Sequence, residues 1–298
     1  MDRDYVLLRT PMYVNWNYTY KCNFHCIHCY SRDREDLKDL TTEEKMTIAK
    51  NLVRNKVFNV NLGGGEPILC EDCVEIIRYM ATNHINVNLS TNGWKTSADK
   101  IEALKKAGLN GVFISLDHIT PQKHDAIRNR EGSFYEACES IKKYVDAHIK
   151  VNLSTVITSE NFDVLEELIN FGSELGVTGI DLKRLKTAGN AKAHHELEIS
   201  EAQRDEMVQK IPCWKEKYPI NINLVYGTKR IKNVDAGCPC GKTSLAILCN
   251  GDISPCVYNI KSIGNALVDD IGEVWREDPF LNYFRSNFEC LGMVEEVR

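Results

Sequence analysis

The sequence predicts an α/β protein built on parallel strands, and two observations carry the prediction. Short apolar runs rich in β-branched and aromatic residues alternate with amphipathic helical stretches over the first two thirds of the chain. The residues of unusual chemistry follow the carboxyl ends of successive runs, where parallel sheets place their ligand-handling loops. The runs are "MYVNWNYTY" (12–20), "VFNVNLGG" (57–64), "INVNLSTN" (85–92), "GVFISLD" (111–117), "IKVNLSTVI" (149–157) and "TGIDLKRLK" (178–186). Helical patterns lie between them at Thr42–Lys56, Cys70–Asn83, Ser97–Ala107, Ser133–Ala147 and Asn161–Leu175. Thr41 and Thr42 before Glu44 read as a helix start, and Gly108 and Gly176 as stops. Such alternation implies βαβ units.

Beyond Ile199 the character changes. Ser200–Lys217 reads as a further helix, "INLV" (222–225) as a short strand and Asp270–Glu277 as a last helix. Between them, "LCNGDIS" (248–254) carries an Asn-Gly hairpin signal inside a cysteine-rich segment, 238–256. We therefore expect a main domain over 1–217 and a small cysteine-rich domain over 218–298.

The 298 residues are 43% apolar and 27% charged, an ordinary globular balance that buries a sizeable core without staples. A formal charge of −5 argues against nucleic acid, which prefers a basic face. No apolar run reaches the roughly 18 residues of a membrane span, and "MDRDYVLLRTPMY" has no secretion-signal h-region. The expectation is a cytoplasmic protein with no membrane partner. In a reducing compartment twelve cysteines point to metal or redox chemistry rather than disulfides.

Three constellations carry that chemistry. In "KCNFHCIHCY", Cys22, Cys26 and Cys29 follow the first run at C-x3-C-x2-C spacing. A closed structural zinc site takes four protein ligands, so zinc would need His25 or His28 to complete it. A [4Fe–4S] cubane held by three thiolates instead keeps one iron open to a small molecule. The second is "NLGGGEP" (61–67): its glycines let the backbone approach a ligand closely, and Glu66 offers an acceptor for an ammonium group. The third is "CPCGKTSLAILCNGDISPC" (238–256).

Together these residues resemble the radical S-adenosylmethionine (SAM) superfamily, in the branch with C-terminal auxiliary clusters. The similarity extends to "LSTNG" (89–93), "VFISLDHITPQKHDAIRNREGSF" (112–134) and "LKTAGNAK" (185–192), and so covers nearly the whole chain. It implies a partial (β/α)6 TIM-like barrel with a small SPASM/twitch-type domain. Cys22, Cys26 and Cys29 would hold the SAM-binding [4Fe–4S] cluster, with the amino and carboxylate groups of SAM on the open iron. His28 matches a position that contacts adenine, and Leu185 one that offers it backbone contacts. Gly64, Gly65 and Glu66 would meet the methionyl amino group. Ser115 and Arg128 match positions that bind the ribose and carboxylate regions, and Asn92 is a further candidate. The family pattern puts Cys238, Cys256 and Cys290 on one auxiliary [4Fe–4S] cluster, with Cys240 a candidate fourth ligand. Met293 stands where a full SPASM domain carries another cysteine, so a single auxiliary cluster is expected.

The resemblance further implies reductive cleavage of SAM to methionine and a 5′-deoxyadenosyl radical, with a reductase, flavodoxin or ferredoxin as electron donor. The expected substrate is a ribosomally made peptide or protein that is crosslinked, oxidised or epimerised. A small-molecule dehydrogenase or decarboxylase is the alternative, and a non-catalytic iron–sulfur or zinc protein the distant one. With the first cysteine at position 22, no N-terminal peptide-recognition domain is expected. Val257 stands where sulfatase-maturing relatives carry an acidic base, with Tyr258 beside it. Cys213 is a candidate hydrogen-atom donor to a substrate radical, and Cys249 a reserve cluster ligand. Cys70, Cys73 and Cys138 read as packing residues, and His194 and His195 as solvated.

Overall fold

A computed structural model of the protein describes residues 8–34, 36–225, 239–259 and 261–286. Seven parallel strands form its centre: β1 (Tyr13–Thr19), β2 (Asn59–Gly64), β3 (Asn86–Thr91), β4 (Gly111–Ser115), β5 (Lys150–Ile157), β6 (Gly179–Arg184) and β7 (Asn221–Val225). They lie side by side in chain order. On the free edge of β1, β8 (Ser244–Ile247) pairs in parallel, followed by antiparallel β9 (Asp252–Ser254) and β10 (Gly264–Asn265). The six anticipated strands are present. β7 continues the sheet beyond residue 217, and β8 ties the cysteine-rich segment to the first strand.

The connections are helices: α1 (Thr42–Arg54), α2 (Cys73–Thr82), α3 (Ala98–Lys106), α4 (Pro121–Arg128), α5 (Ser133–Asp146), α6 (Leu165–Glu174) and α7 (Glu201–Lys217), with α8 (Ile271–Glu277) and α9 (Pro279–Ser286) last. The start of α1 is a full capping box, Thr41 accepting from Glu44 N–H while the Glu44 carboxylate accepts from Thr41 N–H. α2 begins three residues later than the sequence pattern suggests. Glu66 caps a 3-10 turn over Pro67–Leu69 and Cys70 is extended, which delays the helix to Cys73. α4 was not anticipated. It is short and mostly polar, and Pro121 at its first position starts it behind Thr120. Asp125 on α4 accepts from Gly132 N–H, Ser133 O–H and Phe134 N–H, fastening α4 to the start of α5.

Alternation decides the layers. Val14, Trp16, Val60, Leu62, Val87, Leu89, Val151 and Leu153 point to the helices and are at most 1% exposed. The alternate positions read asparagine: Asn15, Asn61, Asn88, Asn152 and Asn223. A parallel sheet covered by helices on both faces is apolar on both; this one keeps a polar inner face. The sheet also curls. β1 and β6 are five strand spacings apart, roughly 24 Å along a flat sheet. Yet the Asp181 charge of β6 raises the Tyr13 pKa, after burial the second cause, and Asn190 beyond β6 bonds the loop beyond β1. The outcome is an open barrel with a polar interior and all parallel strands ending at one rim.

Candidate active site

The rim loops lock to one another before any ligand is considered. Gly65 N–H donates to the Thr19 carbonyl at 2.7 Å and Glu66 N–H to the Lys21 carbonyl at 2.8 Å. A Cβ on Gly64 would collide with the Thr19 carbonyl, and one on Gly65 with the Lys21 carbonyl. Gly64 also has φ +96°, a conformation glycine adopts without strain. The glycines thus let the turn after β2 press against the start of the cysteine loop.

Glu66 is 3% exposed and accepts from Ile68 N–H and, at 2.7 Å, from Asn92 N–H. Burial raises its pKa to about 7, so it sits near half-ionised at neutral pH without a cation beside it. Asn92 closes the ring, its side chain donating to Asn23 Oδ1 at 2.8 Å and approaching Cys22 Sγ at 3.9 Å. Phe24 of the cysteine loop packs edge-on against Trp94, two residues after Asn92.

On the other side Arg128, the last residue of α4, is 7% exposed rather than solvated. Its Nη2 pairs with Asp117 Oδ2 at 2.6 Å and its Nη1 lies 3.9 Å from Cys26 Sγ, while Nε has no partner. Asp117 is wholly buried beyond β4. It accepts from Val156 N–H, and His28 Nε2 stands 3.9 Å from Oδ2. Burial opposes its charge, but Arg128, His28 and His124 outweigh that and hold its pKa below the usual carboxylate range. Burial lowers His28 to about 4, so the imidazole is neutral at pH 7. Cys22, Asn92 and Glu66 form one continuous contact chain, and Cys26, Arg128, Asp117 and His28 a second.

Asn190 pins the loop from the opposite edge. Its N–H donates to the Cys29 carbonyl at 2.8 Å and its side chain to the Cys26 carbonyl at 3.0 Å. Gly189, φ +56°, permits that approach: a Cβ there would strike the Cys29 carbonyl. Nearby, Leu185 joins Ala191, Leu197, Ile27 and Val156 in a small apolar cluster. Ser115, ending β4, sits in register with Ser154 of β5.

The donor set fits an iron–sulfur cluster better than zinc. His25 is exposed and His28 faces Asp117, so neither completes a tetrahedral site. Among the described residues no three His, Cys, Asp or Glu side chains converge on one ion position. Burial raises Cys22 to about 12 and also raises Cys26, Arg128 only partly opposing the latter. Such thiols are poor nucleophiles, and ionise when a cationic centre binds them.

A family model described as the radical SAM superfamily matches residues 16–172, and one described as an iron-sulfur cluster-binding domain, SPASM, matches 238–292. The chain belongs to the radical SAM superfamily. It carries the site for the SAM-binding cluster and a domain for an auxiliary one. Mycofactocin maturase MftC of Mycolicibacterium smegmatis is 33% identical over 184 residues, 61% of this chain and 46% of the relative. The chain thus aligns with about half the length of that relative. The subtilosin biosynthesis protein AlbA of Bacillus subtilis is 27% identical over 89% of this chain and 59% of its own. Streptococcus suis SuiB bound to S-adenosylmethionine superposes with a TM-score of 0.77, at 19% identity, over 94% of this chain and 69% of that one, a likeness of fold.

The auxiliary half of this radical SAM chain is described in part. Cys238 and Cys290 lie outside the described residues. Cys256 is buried after β9, its Sγ accepting from Tyr258 N–H at 3.2 Å, and half-buried Cys240 forms a bridge with Ser244 at the start of β8. Arg34, just past the cysteine loop, donates to the carbonyls of Val257 at 2.6 Å and Tyr258 at 3.3 Å. Tyr30, next to Cys29, packs edge-on against Tyr258 with centroids 5.0 Å apart. The two cysteine-bearing segments are therefore docked through Tyr30, Arg34 and Tyr258. Cys249 is buried with Sγ toward the Leu37 carbonyl. Cys213 is exposed on α7, whose Met207, Ile211 and Trp214 pack on the outer side of the sheet. The sequence reading missed Asp117, Asn190 and Arg34; each lay inside or beside a quoted motif, without spacing or composition to mark it.

Proposed function

We propose that this radical SAM chain modifies a ribosomally synthesised peptide or protein by crosslinking, oxidation or epimerisation. The observation that carries the reading is the open polar barrel beneath the three-cysteine rim. It is wide enough in chemistry, with its asparagine-lined inner face, to satisfy the amide groups of a peptide segment. Relatives described as maturases support the same class, as does SuiB, solved bound to its precursor peptide SuiA.

Cys22, Cys26 and Cys29 hold the cluster in this reading, which when bound supplies the electron that cleaves SAM to methionine and a 5′-deoxyadenosyl radical. The protein's part is binding and orientation. Glu66, fixed by Asn92 and Ile68 N–H groups, receives the methionyl ammonium with Gly64 and Gly65. Ser115 and the unpartnered Nε of Arg128 serve the ribose and carboxylate. Leu185 and His28, buried and neutral, face the adenine. Cys238, Cys256 and Cys290, with Cys240, hold the auxiliary cluster. Residues 1–217 form the SAM-cleaving unit and 218–298 the auxiliary unit, with β7 (Asn221–Val225) laid on the barrel's edge. A reductase, flavodoxin or ferredoxin delivers electrons in the cytoplasm. Val257, apolar where sulfatase-maturing relatives carry an acid, weighs against serine or cysteine oxidation of that type.

The test is an anaerobically reconstituted, dithionite-reduced protein incubated with SAM. It should release 5′-deoxyadenosine and carry about eight irons per chain. Absence of 5′-deoxyadenosine would sink the radical reading, and about four irons would remove the auxiliary cluster. Mass analysis of peptides encoded beside the gene then separates peptide from small-molecule chemistry.

A further inference from the structure

One charged side chain of the inner face has no role in anything described above. Lys183 lies on β6 at an inward position, in register with Val156 and Val225. Its side chain is half-buried. Its Nζ crosses the neighbouring strand to donate to Ser154 Oγ at 2.9 Å and hangs 5.6 Å from the ring of Phe113, on β4. Both contacts are with inward-facing residues, so the ammonium stands on the inner side of the barrel.

An ammonium has three N–H donors, and Ser154 uses one. Among the described residues no carboxylate lies within salt-bridge distance of Nζ. Asp181, two residues earlier on the same face, instead accepts from Asn223 Nδ2 at 3.1 Å. Asp117, the other acid whose field reaches Lys183, is committed to Arg128. Burial lowers the Lys183 pKa, the acids Asp181 and Asp117 opposing that shift. A half-buried cation without a counter-charge is partly desolvated, and an anionic partner that arrives offsets that cost. The chain as a whole carries −5, so its long-range field repels anions. Attraction of one into the barrel needs a local cation within a Debye length, about 8 Å at physiological salt.

We propose that Lys183, with Ser154 beside it, is a specificity-determining anchor for a carboxylate of the substrate, a peptide C-terminus or an acidic side chain. The anchor rests on the peptide reading above and sharpens it: the residue to be modified lies near an anionic group, which Lys183 holds at a fixed height beneath the rim. The asparagines of the same face accept the neighbouring amides. The other source of a carboxylate at this rim is SAM itself, and the experiment separates the two.

Reconstituted protein with SAM and without reductant is titrated with two matched peptide pairs. These are acetyl-Ala-Ala-Ala as free acid or amide, and acetyl-Ala-Glu-Ala-amide or its Gln counterpart. Wild type should bind the acid member of at least one pair about tenfold or more tightly than its neutral partner, and the pair that discriminates identifies the carboxylate. Lys183→Arg should keep the preference and Lys183→Met should abolish it. Equal binding within both pairs, no binding by any member, or a preference surviving in Lys183→Met overturns the proposal. So does a parallel loss of SAM affinity in Lys183→Met, which would assign the lysine to SAM. No reductive chemistry enters the measurement, so its outcome is independent of whether 5′-deoxyadenosine is formed.

Discussion

The Asp117–Arg128 pair offers the sharpest quantitative test. The two side chains are 0% and 9% exposed and 2.6 Å apart, so removing one charge leaves the other buried and uncompensated. Asp117→Asn keeps shape and an acceptor for Val156 N–H, but turns an amide N–H₂ or a neutral oxygen toward Arg128 Nη2. Breaking a buried pair from one side costs about 3–5 kcal/mol. For a chain of this size that lowers the Tm by about 5–8 °C. Thermal unfolding of the cluster-free protein, followed by circular dichroism, reads the shift. The double variant Asp117→Asn/Arg128→Met removes both charges and should recover most of the loss, a coupling of at least about 2 kcal/mol in the cycle. Because the Asp117 pKa is depressed, the pair's stabilisation is present above the unfolded value, about 3.9, and is lost as pH falls through the lower folded one. A Tm drop below about 2 °C, or additive single effects, would refute the view that these charges compensate one another.

Glu66 titrates in the opposite sense. Its folded pKa, about 7, lies above the ordinary carboxylate value. The folded chain therefore keeps a proton that the unfolded chain has released between those values, and stability falls as pH rises through that window. Glu66→Gln should flatten this slope in urea titrations of the cluster-free protein from pH 5 to 7.5. If Glu66 receives the SAM ammonium, SAM affinity of the reconstituted wild type should rise over the same interval and level off above pH 7; a flat profile contradicts the assignment. Gly65→Ala forces a methyl into the Lys21 carbonyl and should cost about 1–3 kcal/mol together with iron retention, measured by colorimetric iron assay after chelator challenge. Asn190→Ala keeps the backbone bond to the Cys29 carbonyl but removes the side-chain bond to the Cys26 carbonyl, costing about 1–3 kcal/mol. Faster iron loss to chelator is expected, and unchanged kinetics would count against the pin.

The strands and most helices were legible because their periodicities differ and because glycine stops and threonine caps punctuate them. Cys22, Cys26 and Cys29, and the Gly64-Gly65-Glu66 turn, were legible as local motifs. Long-range partnership was not. Asp117 two residues after Ser115 looks like any strand-end aspartate until α4 brings Arg128 beneath it. Arg128 was legible only through the family resemblance, because α4 is too short and polar for its buried side to register. The glycines of the turn read as room for a ligand, whereas their immediate neighbours are the chain's own carbonyls. The asparagine at alternate strand positions was visible as a pattern, but its meaning depends on curvature, which brings Tyr13 within the field of Asp181 across the barrel. Cys213 is exposed on α7, and no feature of "KIPCWKEK" told the exposed face of that helix from its packed one.

Asn190 holds the Cys26 and Cys29 carbonyls from 164 residues downstream of Cys26. That distance has a temporal meaning during synthesis. At about 5–20 residues per second, roughly 8–33 s separate the emergence of the cysteines from that of the residue that shapes their loop. Until β6 and its following turn are made, the three thiols belong to an unfinished loop, and Arg34 still awaits the Val257 and Tyr258 carbonyls it docks against. If those thiols hold the cluster, its retention is expected of the completed barrel rather than of the nascent chain, and a truncation before residue 190 should yield a protein that retains less iron.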